Sequence, residues 1–275
     1  MSNTATAAKE DVHLADGKIV QGADGPVGLV TINNPARRNA LSLEMWEGLG
    51  LALRAHRDDP AIRVVVLTGA GNDAFASGAD ISQFEKTRHD AASSEQYARQ
   101  SQEARELLAS YPKPTIAAIR GFCLGGGLQV AMGADMRIAA DTSSFGIPAA
   151  RLGIAYGWDG LRNLVSLVGP AWARLLMFTG MRIDGAEALR IGLVERIVPA
   201  AEVAGTAMAL ARTMAENAPL AIDAAKQTIA QILLDPDQRE PGLVKRLGDA
   251  CMDSEDFREG RRAFMEKRRP RFTGR

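Results

Sequence analysis

Two glycine-containing turns are the places where this chain offers backbone chemistry. The first is AFASGADISQF, residues 74–84, and the second is Gly125-Gly126-Gly127, set before the apolar run LQVAMGA. Neither is a nucleotide loop, because no Gly-Lys-Ser/Thr follows and the Gly-x-Gly-x-x-Gly spacing is absent. Neither holds a Gly-x-Ser-x-Gly nucleophile elbow, since Ser77 stands in FASGA. Both turns supply backbone N–H groups that no side chain hinders. Gly126 falls at the start of an expected helix, where the first amides have no internal partner and the dipole favours negative charge. Two such amides converging on one point make an oxyanion hole; a tight, closely packed strand-to-helix turn is the other reading of an isolated triplet. Gln129 follows Gly126 by three residues on the same helix, so its amide faces the same pocket. An amide can hydrogen-bond a water or a substrate, but it does not titrate and cannot serve as a general base.

A third stretch, RLGIAYGWDGLRNL at residues 151–164, brings Tyr156 and Asp159. Asp159 is a candidate acid or base, and equally an N-cap for a helix beginning at Gly160. His13, His56 and His89 are scattered away from any cysteine or matching carboxylate, so no metal site is expected. Cys123 and Cys251, alone in a chain this long, read as reduced cytosolic thiols.

The elements that must position these groups alternate. GKIVQ, VGLVTIN and IRVVVLTG read as strands, with a helix SLEMWEGLGLALRAHRD between the second and third. Ser42 caps that helix, and Leu43, Trp46, Leu49 and Leu53 recur at helical spacing. KPTIAAIRG is a strand, LQVAMGA a short helix and MRIAAD a further strand, which suggests a mixed α/β domain of repeated β-β-α units. After Val198-Pro199 only helical patterns follow: EVAGTAMALARTMAENA, LAIDAAKQTIAQILL and SEDFREGRRAFMEKR. The expected division is therefore a core at 12–199 and a helical region at 200–275.

The 275 residues are 46% hydrophobic and carry 33 basic against 33 acidic side chains. That balance argues against nucleic acid or an anionic membrane as partner, and it eases self-association. No apolar run approaches the roughly 20 residues that span a bilayer. The N-terminus MSNTATAAKEDVHL has no apolar segment and no arginine, so a cytoplasmic protein is expected. The strongly cationic ending GRRAFMEKRRPRFTGR reads either as a solvated tail or as a site for phosphates of a ligand or a neighbouring subunit.

Taken together, AFASGADISQF, KPTIAAIRGFCLGGGLQVAMGADMRIAA and FGIPAARLGI resemble the enoyl-CoA hydratase/isomerase (crotonase) family, and NNPARRNALSLEM, IGLVERIVP and FMEKRRPRF match its pattern. The resemblance implies a crotonase-like spiral of β-β-α units with a helical C-terminal trimerisation region, and a hexamer built as a dimer of trimers. It implies no covalently bound cofactor, and a coenzyme A thioester as substrate or ligand, its carbonyl oxygen received by the amides of Ala79 and Gly126. It further implies that Arg37, Ala40, Leu41, Ser77, Asp80 and Ile81 line the coenzyme A site. Phe264 and Lys267, from an adjacent subunit, would close over the nucleotide.

The family's hydratases split water with two glutamates, and here those places hold Gln129 and Ala149. Syn-hydration by the usual pair is therefore not expected. In other branches of the family the turn containing Asp159 bears an aspartate that does the chemistry, which keeps Asp159 and Tyr156 as candidates. Three activities remain: an acyl-CoA enzyme whose oxyanion hole works with other acid/base groups, a non-catalytic acyl-CoA binder, and a hydratase or isomerase with relocated groups. Decarboxylation of a malonyl-type thioester would place the least demand on a missing base.

Overall fold

A computed structural model describes residues 10–80 and 91–275, apart from the side chains of residues 91–94, 96–98 and 159. The chain opens with β1 (Val12–Leu14), β2 (Ile19–Asp24) and β3 (Val27–Ile32), paired antiparallel in order. Helix α1 (Leu43–Asp58) follows, capped by Ser42, whose Oγ accepts from the Met45 N–H at 3.4 Å. Its Met45, Trp46, Leu49 and Leu53 are buried, as a 3.6-residue period requires of a helix lying on a sheet.

From β4 (Val64–Gly69) onward each turn of chain adds one strand to each of two sheets. β4, β6 (Thr115–Ile119) and β8 (Met136–Ala140) extend the first; β5 (Ala74–Ala76), β7 (Phe122–Leu124) and β9 (Ser144–Gly146) build the second. Helix α2 (Ala91–Ala109) follows the first of these pairs, α3 (Gly126–Gly133) the second and α4 (Trp158–Thr179) the third. β10 (Arg182–Asp184), α5 (Gly185–Arg190) and β11 (Arg196–Val198) close the sheets. The strand orders are β1-β2-β3-β4-β6-β8-β11 and β10-β9-β7-β5. This is the α/β spiral expected from the sequence.

The large sheet is covered on both faces, which explains why its central strands are continuous apolar runs. Val65 and Leu67 of β4 point into a core shared with Phe75, Leu128 and Phe145. Val64 and Val66 point the other way, onto Val203, Ala207, Ala211 and Ala215 of α6 (Val203–Ala215). Those four residues recur at four-residue spacing, and their small side chains let the helix approach the sheet closely.

Four helices occupy the C-terminal region where the sequence pattern showed three: α6, α7 (Pro219–Ile232), α8 (Pro241–Asp253) and α9 (Glu255–Met265). The additional one, α8, starts at Pro241-Gly242, a pair that reads as a turn. Proline at the first helical position loses no hydrogen bond, so the helix forms regardless. The cationic ending is largely exposed to solvent, but it is also fastened to the rest of the chain. Arg268 pairs with Glu259 and Glu266, and Asp256 accepts from the Thr273 and Gly274 N–H groups at 2.6 and 2.8 Å. Arg63 donates to the Phe272 carbonyl at 2.6 Å, tying the end of the chain back to the start of β4.

Among the described residues no helix is long and apolar enough to cross a membrane, and no cluster of three or more His, Cys, Asp or Glu could hold a metal ion.

Candidate functional site

The loop before α1 builds one wall. A short 3-10 turn, Pro35–Arg37, is followed by Arg38 and Asn39 in the left-handed region, with φ of 51° and 56°. Asn39 holds this bend from inside. It is fully buried, its Nδ2 donates to the Ala70 and Ala74 carbonyls at 3.0 and 2.7 Å, and its Oδ1 accepts from the Asn34 N–H at 2.8 Å.

The bend lays residues 38–41 beside residues 77–80 as a short parallel bridge. Ser77 N donates to Arg38 O (3.0 Å), Leu41 N to Gly78 O (2.8 Å) and Asp80 N to Leu41 O (2.9 Å). In parallel pairing Leu41 uses the groups flanking Ala79, so Ala79's own N–H is turned to the opposite side. Arg37 lies 3.5 Å from the Asp80 carboxylate, which occupies that acid in the wall. Ser77 Oγ donates to Arg37 O at 3.4 Å. Arg37, Ala40, Leu41, Ser77, Ala79 and Asp80 thus come together in two adjoining segments, with Ala40 and Leu41 buried; Ile81 lies outside the described residues.

The three glycines of the second turn have three different jobs. Gly125 has φ of +49°, a conformation that disfavours any side chain. Gly127 packs so closely that a Cβ would lie 2.2 Å from Ala76 O. Gly126 has neither constraint: a Cβ there would make ordinary contacts, 3.5 Å from Trp46 and 3.7 Å from Ala79 N. Its freedom from a side chain leaves open the space between its own amide and that of Ala79. Gly126 is the first residue of α3, so its N–H has no intrahelical partner. Among the described residues neither amide donates to a backbone carbonyl. The far end of α3 is held by buried Arg137, which donates to Ala134 O (2.8 Å) and Ala131 O (3.3 Å) and pairs with Glu195. A cation at a helix C-terminus is favoured by the same dipole that makes the N-terminus attract anions.

Tyr156 and Gln129 lie close to the second turn. The Tyr156 hydroxyl lies 3.9 Å from the position a Cβ would take on Gly125. The Tyr156 ring and Gln129 Nε2 both pack on Gly160, at 3.2 and 2.6 Å from the position of a Cβ there. Gln129 Oε1 accepts from Arg105 Nη1 at 2.9 Å, and that guanidinium lies over the Trp46 ring, 5.9 Å from its centre. Gln129 and Gly160 also line a groove of about 910 Å³ that runs past Trp158 and Arg162 to Leu233 and Leu234. Ala149 is buried in the 3-10 turn Pro148–Leu152 and brings no polar group. Cys123 is fully buried and burial pushes its thiol pKa up, so it is no nucleophile.

Asp159 is not the N-cap of a helix beginning at Gly160. The helix begins at Trp158 with Gly157 as N-cap, because the extended φ/ψ of −75° and 175° ends there, and Asp159 lies inside the first turn. Its side chain is outside the described residues. Phe264 is exposed and lines a separate apolar pocket of about 390 Å³ with Phe257 and Phe272. Lys267 follows α9 with φ of 53°. Neither meets Ala79 or Gly126 within this chain's pockets. Trp46 and Arg105 were not anticipated at the site. Trp46 reads only as one member of a core stripe, and Arg105 has no local signal, its partner being twenty-four residues away.

A family model described as enoyl-CoA hydratase/isomerase matches residues 22–275. The short-chain-enoyl-CoA hydratase of Clostridium acetobutylicum is 36% identical over 247 residues, covering 90% of this chain and 94% of the relative. The carnitinyl-CoA dehydratase of Salmonella arizonae is 35% identical over 256 residues, covering 91% and 96%. Among solved structures, an enoyl-CoA hydratase/carnithine racemase from Magnetospirillum magneticum superposes with a TM-score of 0.91 at 34% identity, covering 98% of this chain and 97% of that one.

Proposed function

Because the chain belongs to the enoyl-CoA hydratase/isomerase family, we propose that it takes a coenzyme A thioester whose carbonyl oxygen is received by the amides of Ala79 and Gly126. The observation that supports this most directly is the 3.7 Å between Ala79 N and the empty Cβ position of Gly126. Two preorganised donors, one at a helix N-terminus, suit the oxyanion of a thioester enolate, and they need no rearrangement as charge develops. In this reading Arg37, Ala40, Leu41, Ser77, Asp80 and Ile81 hold the pantetheine and nucleotide. The acyl chain passes Gln129 into the groove beside α4.

The chemistry we assign is enolate formation and protonation rather than two-carboxylate hydration. When the bond from the α-carbon to the carboxylate of a malonyl-type thioester breaks, carbon dioxide leaves and the bond's electron pair passes to the carbonyl oxygen, where the two amides hold it. The Tyr156 hydroxyl then delivers a proton to the α-carbon and recovers one from water. Gln129 cannot remove a proton from water and Ala149 has no polar group, so the hydratase pair is absent. Asp159 remains a further acid/base candidate on the same turn. Residues 200–275 would serve as the oligomerisation region of a trimer or a dimer of trimers. Ile229, Ile232 and Leu233 stand exposed there, and Phe264 and Lys267 would reach a neighbour's nucleotide.

Incubation with enoyl-, malonyl- and β-ketoacyl-CoA, read by mass spectrometry, tests this. Product is expected from substrates that need only an enolate. Loss of enoyl absorbance at rates ordinary for two-glutamate hydratases would refute the assignment. Tight binding with no product from any substrate would leave a carrier of acyl-CoA.

A further inference from the structure

Beyond the two backbone amides, Gln129 and Arg105 bring hydrogen-bond donors to the groove beside α4. Gln129 has one acceptor oxygen, with two lone pairs, and one donor group; one of those lone pairs receives Arg105 Nη1 at 2.9 Å. That bond sets the orientation of the amide, with oxygen toward the guanidinium and nitrogen against Gly160. Gly160 makes room for it, since a Cβ would fall 2.6 Å from Gln129 Nε2. Arg105 is seated in turn, its guanidinium over the ring of Trp46, a residue only 2% exposed. The same ring edge stands 3.5 Å from the empty Cβ position of Gly126, so one buried aromatic supports both the hole and the cation behind Gln129.

A water about to lose its proton needs a base, and a neutral amide whose oxygen already faces a guanidinium is not one. A carboxylate needs hydrogen-bond donors, and Nε2 is one, beside the Arg105 guanidinium that orients it. The groove beyond continues in the same sense: Arg162 lines it, donating to Leu233 O at 3.2 Å. Glu106, the acid among its described lining side chains, is exposed and accepts from Gln102 Nε2 at 2.6 Å.

We propose that this site selects coenzyme A thioesters whose acyl chain bears a carboxylate, bound by Gln129 Nε2 with the Arg105 guanidinium behind it. Arg105 is then a positioning residue, holding Gln129 turned as a donor. The proposal rests on the thioester reading above and adds the substrate class.

Calorimetric titration of the full chain with malonyl-, succinyl- and glutaryl-CoA, each set against butyryl-CoA, tests it. At least one carboxylated thioester should bind about 10- to 100-fold tighter than butyryl-CoA, as one charge-assisted hydrogen bond would give. Gln129→Leu and Arg105→Met should each bring that ratio close to one, and Arg105→Lys, which keeps a charged donor for Oε1, should restore part of it. Thermal melting of each variant checks that it is folded, and Gln129→Leu decides the matter if Arg105→Met is not. Equal affinities in the unaltered protein, or a preference that survives Gln129→Leu, would overturn the proposal while leaving thioester binding intact. No binding of butyryl-CoA or any other thioester would overturn the thioester reading itself, and this proposal with it.

Discussion

Gly126 turns its bare Cα toward the backbone nitrogen of Ala79, so that a methyl group added there would stand 3.7 Å from that nitrogen. Nothing in the packing forbids such a methyl, since its nearest contact, Trp46 at 3.5 Å, is an ordinary one. The neighbouring Gly127 is the opposite case, 2.2 Å from Ala76 O.

These two glycines should therefore separate function from folding. Gly126→Ala is expected to fold normally, with a melting temperature near that of the unaltered protein. Its turnover of a thioester should fall by about 10²–10³, the loss typical of an impaired oxyanion hole. Gly127→Ala should lose at least about 2 kcal/mol of stability, because backbone must move to admit the new atom. Urea denaturation and a thioester assay on both proteins check this. Full activity in folded Gly126→Ala would remove the hole from the mechanism.

Tyr156→Phe deletes the hydroxyl 3.9 Å from the Cβ position of Gly125 without altering the ring that packs on Gly160. Turnover should drop about 10²–10⁴-fold, the range of a lost general acid. Binding of an unreactive acyl-CoA should change only a few-fold. An unchanged rate in stopped-flow assays would take the proton from Tyr156 and give it to water or Asp159.

Asn39→Ala removes three hydrogen bonds, one buried and two part-buried, and places alanine at φ of 56°. Two carbonyls and one N–H are left without their partner, which should cost about 2–4 kcal/mol in chemical denaturation. Affinity for coenzyme A thioesters should fall as well, because the same bend sets the 38–41 bridge to residues 77–80. A stable variant with full affinity would show that the bend holds without its asparagine.

The C-terminal fastening should be acid-sensitive. The Arg268 guanidinium, with help from the Arg271 N–H, lowers the Glu259 carboxyl from 4.5 to about 2. A depressed carboxyl pKa stabilises the folded state fully above its unfolded value, and that contribution fades as pH falls from 4.5 toward about 2. Hydrogen exchange in residues 268–275 should rise, relative to intrinsic rates, across this window. In Glu259→Gln the tail should already be loosened at neutral pH and show no further step there. A tail equally protected in both proteins at neutral pH would mean that Asp256 and Arg63 hold it alone.

The order of elements was legible because each had a local cause. The helical stripe at Trp46, Leu49 and Leu53, the Ser42 cap and the β-branched run of β4 are patterns that adjacent residues create. The small sheet was not legible, because its strands are three residues long and are stabilised by pairing with distant segments. Helix α8 was hidden behind Pro241-Gly242, a pair compatible with either a turn or a helix start.

The site divides in the same way. By itself the sequence determined that Gly126 opens a helix, that Gln129 shares its face, and that no carboxylate stands at residues 129 and 149. These follow from helical period and residue type. Only the tertiary structure decided that the three glycines have different reasons to be glycine, that the Ala79 nitrogen lies beside Gly126, and that Arg105 bonds the oxygen of Gln129. Each of these depends on a contact between segments far apart in the chain. Such contacts are fixed by how sheets and helices pack, and local residue patterns do not encode them.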